Sequence, residues 1–142
     1  MTLIDTGPLV ALFDPKDADH AGCHEVLREI EGMLYTTEAV LTEVFHMLDP
    51  ASKGAAGIKQ FVLDGYLCLL ALDQPRLIRC FEYMAQYQDL PMDFADATLV
   101  TSAEALNTRR IFTLDFADFG VYRVRRGHRL HAFEIAGRER LE

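Results

Sequence analysis

The stretch Met1-Thr2-Leu3-Ile4-Asp5-Thr6-Gly7-Pro8-Leu9-Val10-Ala11-Leu12 decides how the rest of the chain is read. Leu3-Ile4 is a short apolar run that stops at an acid, and Thr6-Gly7-Pro8 is prone to turn. Leu9, Val10, Leu12 and Phe13 then suit a short helix that ends near Asp14-Pro15. A strand that feeds a helix this directly, with a carboxylate at the junction, is how an α/β protein begins. In such folds, sites form outside the carboxyl ends of the strands.

The same alternation continues downstream. Asp17 is placed to cap a second helix, in which Ala18, Ala21, Val26, Leu27 and Ile30 recur at helical spacing. Met33-Leu34-Tyr35 reads as a strand and residues 38–48 as a helix, with Val40, Leu41, Val44, Phe45 and Leu48 on one side. Glu43 falls at the edge of that apolar stripe. A further helix over 51–65 is weakened by Gly54 and Gly57. Leu67 to Leu72 is a continuous apolar run, as expected of a strand buried on both faces. Pro75 opens a helix that runs to Gln88, and another helix spans 93–106 with Arg109-Arg110 as its basic end. Ile111-Phe112-Thr113 forms a fourth strand with Asp115 just beyond it, and Val121 to Phe133 reads as one or two edge strands. The expected fold is therefore α/β: a mainly parallel sheet of four to five strands covered by helices on both faces. It forms a single domain over 1–142, with a core over 1–124 and an edge segment over 125–142.

Bulk properties narrow the function. A chain of 142 residues fits one compact domain. No apolar stretch approaches the roughly 18 residues needed to cross a bilayer. The N-terminus lacks the basic and then apolar regions of a secretory signal, so a cytosolic location and no membrane partner are expected. Cys23, Cys68 and Cys80 are odd in number and widely spaced, which fits buried thiols in a reducing compartment. The net charge of −8 argues against a passive nucleic-acid binder. It does not argue against a nuclease, because metal ions can neutralise clustered acids and face the phosphate.

Asp5 and Asp115 occupy strand ends, Asp93 and Asp96 open the helix before the fourth strand, and Glu43 lies one to two turns into the helix after the second. Five acids can thus meet at one edge of one sheet. Carboxylates so placed repel one another and are costly to desolvate unless a hard cation such as Mg²⁺ or Mn²⁺ compensates. Each acid also has a structural reading: Asp5 as a helix cap, Glu43 as a solvated helix acid, Asp93 and Asp96 as helix N-terminal residues, Asp115 as the start of a turn.

These residues resemble the PIN-domain ribonucleases, especially the VapC-like toxins of type II toxin–antitoxin pairs. The resemblance runs through Leu3-Ile4-Asp5-Thr6-Gly7-Pro8-Leu9-Val10-Ala11-Leu12, Leu41-Thr42-Glu43-Val44, Asp93-Phe94-Ala95-Asp96-Ala97 and Thr113-Leu114-Asp115-Phe116-Ala117-Asp118-Phe119. It spans Met1 to about Val124, with each motif in order. It implies a three-layer α/β/α fold and an endoribonuclease dependent on Mg²⁺ or Mn²⁺. Carried over, Asp5, Glu43, Asp96 and Asp115 are the catalytic, metal-binding acids, with Asp93 as a fifth metal ligand. Thr6 and Thr113 are candidate orienting hydroxyls, and Asp118 reads as a turn residue. Water activated by the ion would attack the scissile phosphate in line. A cognate antitoxin and a homodimer are the implied partners, beside the RNA substrate.

Arg123, Arg125, Arg126 and Arg129 match the family only loosely. They are read as RNA contacts, as a solvated edge, or as the seat of an antitoxin tail. His20, His24 and His46 form no ligand set, and Phe81, Tyr83 and Tyr87 are spaced for helix packing or a dimer face. Two other enzymes fit less well. A haloacid-dehalogenase-like phosphatase needs an acid where Gly7 stands, and a receiver domain needs an acidic pair near the first strand. The alternative from another class is a PIN-fold RNA- or protein-binding module without turnover.

Overall fold

The computed structural model describes Met1–Glu142. The chain opens with β1 (Thr2–Ile4), α1 (Thr6–Phe13), α2 (His20–Glu29) and β2 (Leu34–Thr36). It continues through α3 (Glu38–Met47), α4 (Lys53–Leu63), β3 (Leu67–Leu69), α5 (Gln74–Gln86) and α6 (Phe94–Leu106). After β4 (Arg110–Phe112) come α7 (Phe116–Val121), β5 (Arg123–Arg126), β6 (Arg129–Ala132), β7 (Glu134–Ile135) and α8 (Arg138–Leu141).

Five strands form one sheet in the order β3-β2-β1-β4-β7, and every neighbouring pair is parallel. Helices flank the sheet, as the parallel crossovers require. The chain steps outward from β1 to β2 to β3, then returns to lay β4 on the other side of β1. The direction of winding therefore reverses between β1 and β4, and the crevice at their carboxyl ends is the topological switch point. Leu3 and Ile4 of β1 and Ile111 and Phe112 of β4 have no exposed surface. The centre of the sheet is thus fixed by apolar burial, and the acids that follow these two strands are fixed with it.

Several sequence expectations shift. Leu67–Leu72 is not a strand buried on both faces: only Leu67–Leu69 is extended, it pairs with β2 alone, and Leu69 is 47% exposed. Residues 121–133 do not edge the sheet. β5 and β6 form a separate antiparallel hairpin, turned at Gly127, whose φ of 62° suits glycine. The edge is instead β7, beyond residue 124, which pairs with β4. Arg109 and Arg110 do not end a helix either. α6 stops at the left-handed Asn107, and both arginines pair with Glu134 of β7. Asp17 does not cap α2; its carboxylate accepts from the Asp19 amide in the preceding turn. His20 and His24 instead hold the end of α1 through the Ala11 and Leu12 carbonyls.

α6 lies deep in the molecule, buried at every position from Ala95 to Ala103. Its alanines, threonines and Ser102 are small enough to let neighbouring elements close on it. α5 is clamped to it by the Arg79 guanidinium, which donates two bonds of 3.0 Å to Glu104, and by the Tyr83 hydroxyl on the same carboxylate. Cys23 and Cys80 are buried, and all three cysteines are free thiols.

Gly54 and Gly57 weaken α4 as a helix but let it rest on the end of α1. A β-carbon at Gly54 would lie 2.5 Å from the Phe13 carbonyl oxygen. Gly54→Ala is therefore expected to cost about 1–3 kcal/mol through overpacking, although alanine is the better helix former by about 1 kcal/mol. At Gly120 the added methyl meets nothing within 4 Å. Gly120→Ala should leave stability level or raised, and urea denaturation of the two variants checks the contrast.

Candidate active site

The acids arrive at one edge because they begin helices. Asp5 is the N-cap of α1, Asp93 of α6 and Asp115 of α7. A carboxylate in that role gives one oxygen to a backbone N–H and keeps further acceptor capacity. The capping reading and the chemical reading of these three residues are therefore compatible.

Asp5 is almost wholly buried between β1 and β4. Its Oδ1 accepts from the Thr6 amide and its Oδ2 from the Thr113 hydroxyl, each at 2.8 Å. The Thr6 hydroxyl donates to Glu43 Oε1 at 2.8 Å, which joins α1 to α3 across the crevice. The two threonines read as orienting hydroxyls thus hold two of the acids.

The tetrapeptide Asp-Phe-Ala-Asp occurs twice, at 93–96 and at 115–118, and does the same thing in both places. The first aspartate accepts the backbone N–H of the second, at 2.8 Å in α6 and 3.0 Å in α7. The second aspartate then projects from the first helical turn. Asp96, Asp115 and Asp118 offer carboxylate oxygens within 4.8 Å of one another. Asp118, read from the sequence as a turn residue, therefore belongs to the acidic group. The repeated Asp-x-x-Asp spacing was the signal for it, concealed because the same spacing is a plain capping pattern. Asp96 accepts a further bond of 2.8 Å from the hydroxyl of Tyr122, a residue that no sequence motif marked.

No lysine or arginine pairs with any of these carboxylates; every ion pair in the molecule lies elsewhere. Burial therefore dominates the titration of Asp5, Asp96 and Asp118. It raises the Asp5 carboxyl from the ordinary 3.8 to about 6, against the Thr6 and Thr113 hydrogen bonds and with help from Glu43 and Asp93. Burial, followed by the charges of Asp5 and Asp93, raises Asp96 to about 8 despite the Tyr122 bond. Burial and Asp115 raise Asp118 as well.

The arginines of the hairpin are placed differently from the acids. Arg123 donates to the carbonyls of Gly120, Val121 and Tyr122 that the end of α7 leaves open. Arg126 binds Asn107 at the C-terminal end of α6, roughly 16 Å of helix rise from Asp96 at its other end. Arg129 stands opposite Arg126 in the hairpin register, and Arg125 is exposed opposite Leu130. Arg126 is thus held as a helix-end cap and does not border the acidic crevice.

A parallel sheet flanked by helices is an architecture that this chain shares with known proteins. The family model described as PIN domain matches residues 2–125. The chain belongs to the PIN-domain family. Ribonuclease VapC26 of Mycobacterium tuberculosis is 28% identical over 125 residues, covering 85% of this chain and 91% of that protein. The same organism's VapC20, described as a Sarcin-Ricin loop cleaving toxin, superposes with a TM-score of 0.75 at 18% identity. That match covers 84% of this chain and 95% of VapC20. A toxin–antitoxin complex from Klebsiella pneumoniae gives 0.66 at 16% identity, over 85% of this chain and 92% of that one. The two structural likenesses speak for the fold. No helix of this chain is long and apolar enough to cross a membrane.

The raised carboxyls set a pH dependence for the metal-free protein. In the unfolded chain both acids ionise near 3.8, whereas the folded state keeps their protons to about 6 and about 8. The folded state binds more protons in that window, so its stability falls as pH rises through it. Thermal melts in EDTA should show the melting temperature falling from pH 5 to pH 8. Asp96→Asn should flatten the portion between pH 6 and 8, and an unchanged slope in that variant would count against the assignment.

Proposed function

We propose that this PIN-domain protein is a divalent-metal-dependent endoribonuclease and the toxin member of a toxin–antitoxin pair. The observation that carries the reading is the all-oxygen group of Asp96, Asp115 and Asp118, gathered within 4.8 Å with no cationic side chain among its partners. An all-carboxylate donor set fits Mg²⁺ or Mn²⁺ and offers nothing to a thiophilic metal. Asp5 and Glu43 border this group, linked to each other through Thr6 and by their charges.

Asp5, Asp96, Asp115 and Asp118 are the residues that would hold the cation, with Glu43 and Asp93 beside them. When bound, such an ion lowers the pKa of water and offsets phosphate charge. The protein's own part is to fix the acids before substrate arrives. Thr113 and the Thr6 amide hold Asp5, the Thr6 hydroxyl holds Glu43, and the helix starts hold Asp93 and Asp115. All of these donors are neutral, so the carboxylates stay available to a cation. The chain has no nucleophilic serine or cysteine in the crevice, which favours attack by water over a covalent intermediate.

RNA as substrate is supported by the relative named a ribonuclease and by the fold neighbour described as cleaving the Sarcin-Ricin loop. An antitoxin partner is supported by the neighbour described as a toxin–antitoxin complex. A homodimer is carried over from the family.

Incubation of the purified protein with structured and unstructured RNA tests the reading. Cleavage is expected with Mg²⁺ or Mn²⁺ and should cease in EDTA. Asp5→Asn, which keeps the cap geometry, should lower the rate by at least roughly 100-fold, the upper end of what changes around a metal's ligands cost. RNA bound tightly but left uncut under every metal condition would favour the binding module.

A further inference from the structure

Tyr122 is fully buried, and its ring is held from two sides. Tyr87 meets it edge-on with ring centroids 5.1 Å apart, and Phe119 does the same at 5.0 Å. Its backbone is pinned at the end of α7, where the Tyr122 amide donates to the Asp118 carbonyl at 3.0 Å. From this rack the hydroxyl reaches across to α6 and donates to Asp96 Oδ2 at 2.8 Å.

The partner's position makes that bond informative. Asp96 is the third residue of α6, and its amide is already taken by Asp93 Oδ1. In a reciprocal capping box the side chain at this position folds back onto the amide of the cap residue. Here the Asp96 carboxylate instead accepts from Tyr122, on the side where Asp115 and Asp118 lie. A short side chain with several accessible rotamers is thereby limited to one orientation. The bond also ties the first turn of α6 to the residue that ends α7.

We infer that Tyr122 is a positioning residue for the candidate metal site: its hydroxyl, set by the Tyr87–Phe119 aromatic rack, aims the Asp96 carboxylate at the oxygens of Asp115 and Asp118. The inference rests on the metal reading proposed above and adds a residue to it. Donors behind metal ligands tune affinity substantially, and their loss typically costs about 10- to 100-fold. Tyr122→Phe removes only the hydroxyl and keeps the ring and its packing.

The test is Mn²⁺ binding to the purified protein, followed by electron paramagnetic resonance of the free ion, with circular dichroism to verify folding. Tyr122→Phe should weaken Mn²⁺ binding by about tenfold or more. Tyr66→Phe removes an exposed hydroxyl just before β3, at the opposite end of the sheet from the acids; it should leave Mn²⁺ affinity unchanged. In an Asp96→Asn background, Tyr122→Phe should have no further effect. Equal losses in both tyrosine variants, or a full Tyr122→Phe effect without the Asp96 carboxylate, would reduce Tyr122 to a packing residue and overturn the inference. Wild-type binding that Tyr122→Phe leaves intact would overturn it while sparing the metal reading. Failure of the wild type to bind Mn²⁺ would overturn both.

Discussion

The carboxylates of Asp5, Glu43, Asp93, Asp96, Asp115 and Asp118 crowd the carboxyl edge of the sheet, and no basic side chain neutralises them. Much of the local architecture follows from having to hold such a group together. Uncompensated acids in a partly desolvated crevice raise one another's proton affinity, and a fold that tolerates them must spread their cost over other interactions. Three devices do so here. Hydroxyls of Thr6, Thr113 and Tyr122 donate to the acids without adding charge. Backbone amides of the first helical turns do the same for Asp5, Asp93 and Asp115. The N-termini of α1 and α6 also point their partial positive ends at the group.

The position of the crevice is set by winding. Because β4 returns to the far side of β1, the loops after these two central strands diverge and leave a gap. Burial of Leu3, Ile4, Ile111 and Phe112 then holds Asp5 and Asp115 on either side of it. α6 completes the third wall, and its small residues allow it to sit close against β1 and α5. The Arg79–Glu104–Tyr83 clamp secures the opposite end of that helix, so the acidic turn at its start is attached to a rigid rod. The same arrangement explains Arg123 and Arg126 of the hairpin. Basic groups that satisfy open carbonyls at helix ends stand where helices finish, and the acids stand where they begin.

Much of the fold is legible in the sequence, because strand and helix alternate with short connections and the apolar runs are distinct. What failed were the edges. Leu67–Leu72 is as apolar as a central strand, yet only its first half pairs, because nothing lies beyond it in the sheet. Glu134-Ile135 is too short and too polar to announce itself, yet it completes the sheet by finding β4. Edge strands are chosen by which neighbour is available, and composition does not record that.

In the site, local sequence determined two of the acids that begin helices. Asp5 and Asp93 follow from a polar residue placed before an apolar helical run, a relation of near neighbours. Asp115 instead read as the start of a turn, because the six-residue α7 behind it is too short to show a helical period. The motif resemblance drew Glu43 and Asp96 into the same group. Only the tertiary structure decided that Asp118 joins them, since Asp115-Phe116-Ala117-Asp118 and Asp93-Phe94-Ala95-Asp96 are alike in sequence and their second acids meet because the first turns of α6 and α7 open on the same crevice. It alone decided that Tyr122 reaches Asp96, a contact between residues 26 positions apart. Chain order specifies what each residue offers; the placing of one helix beside another determines which of those offers meet.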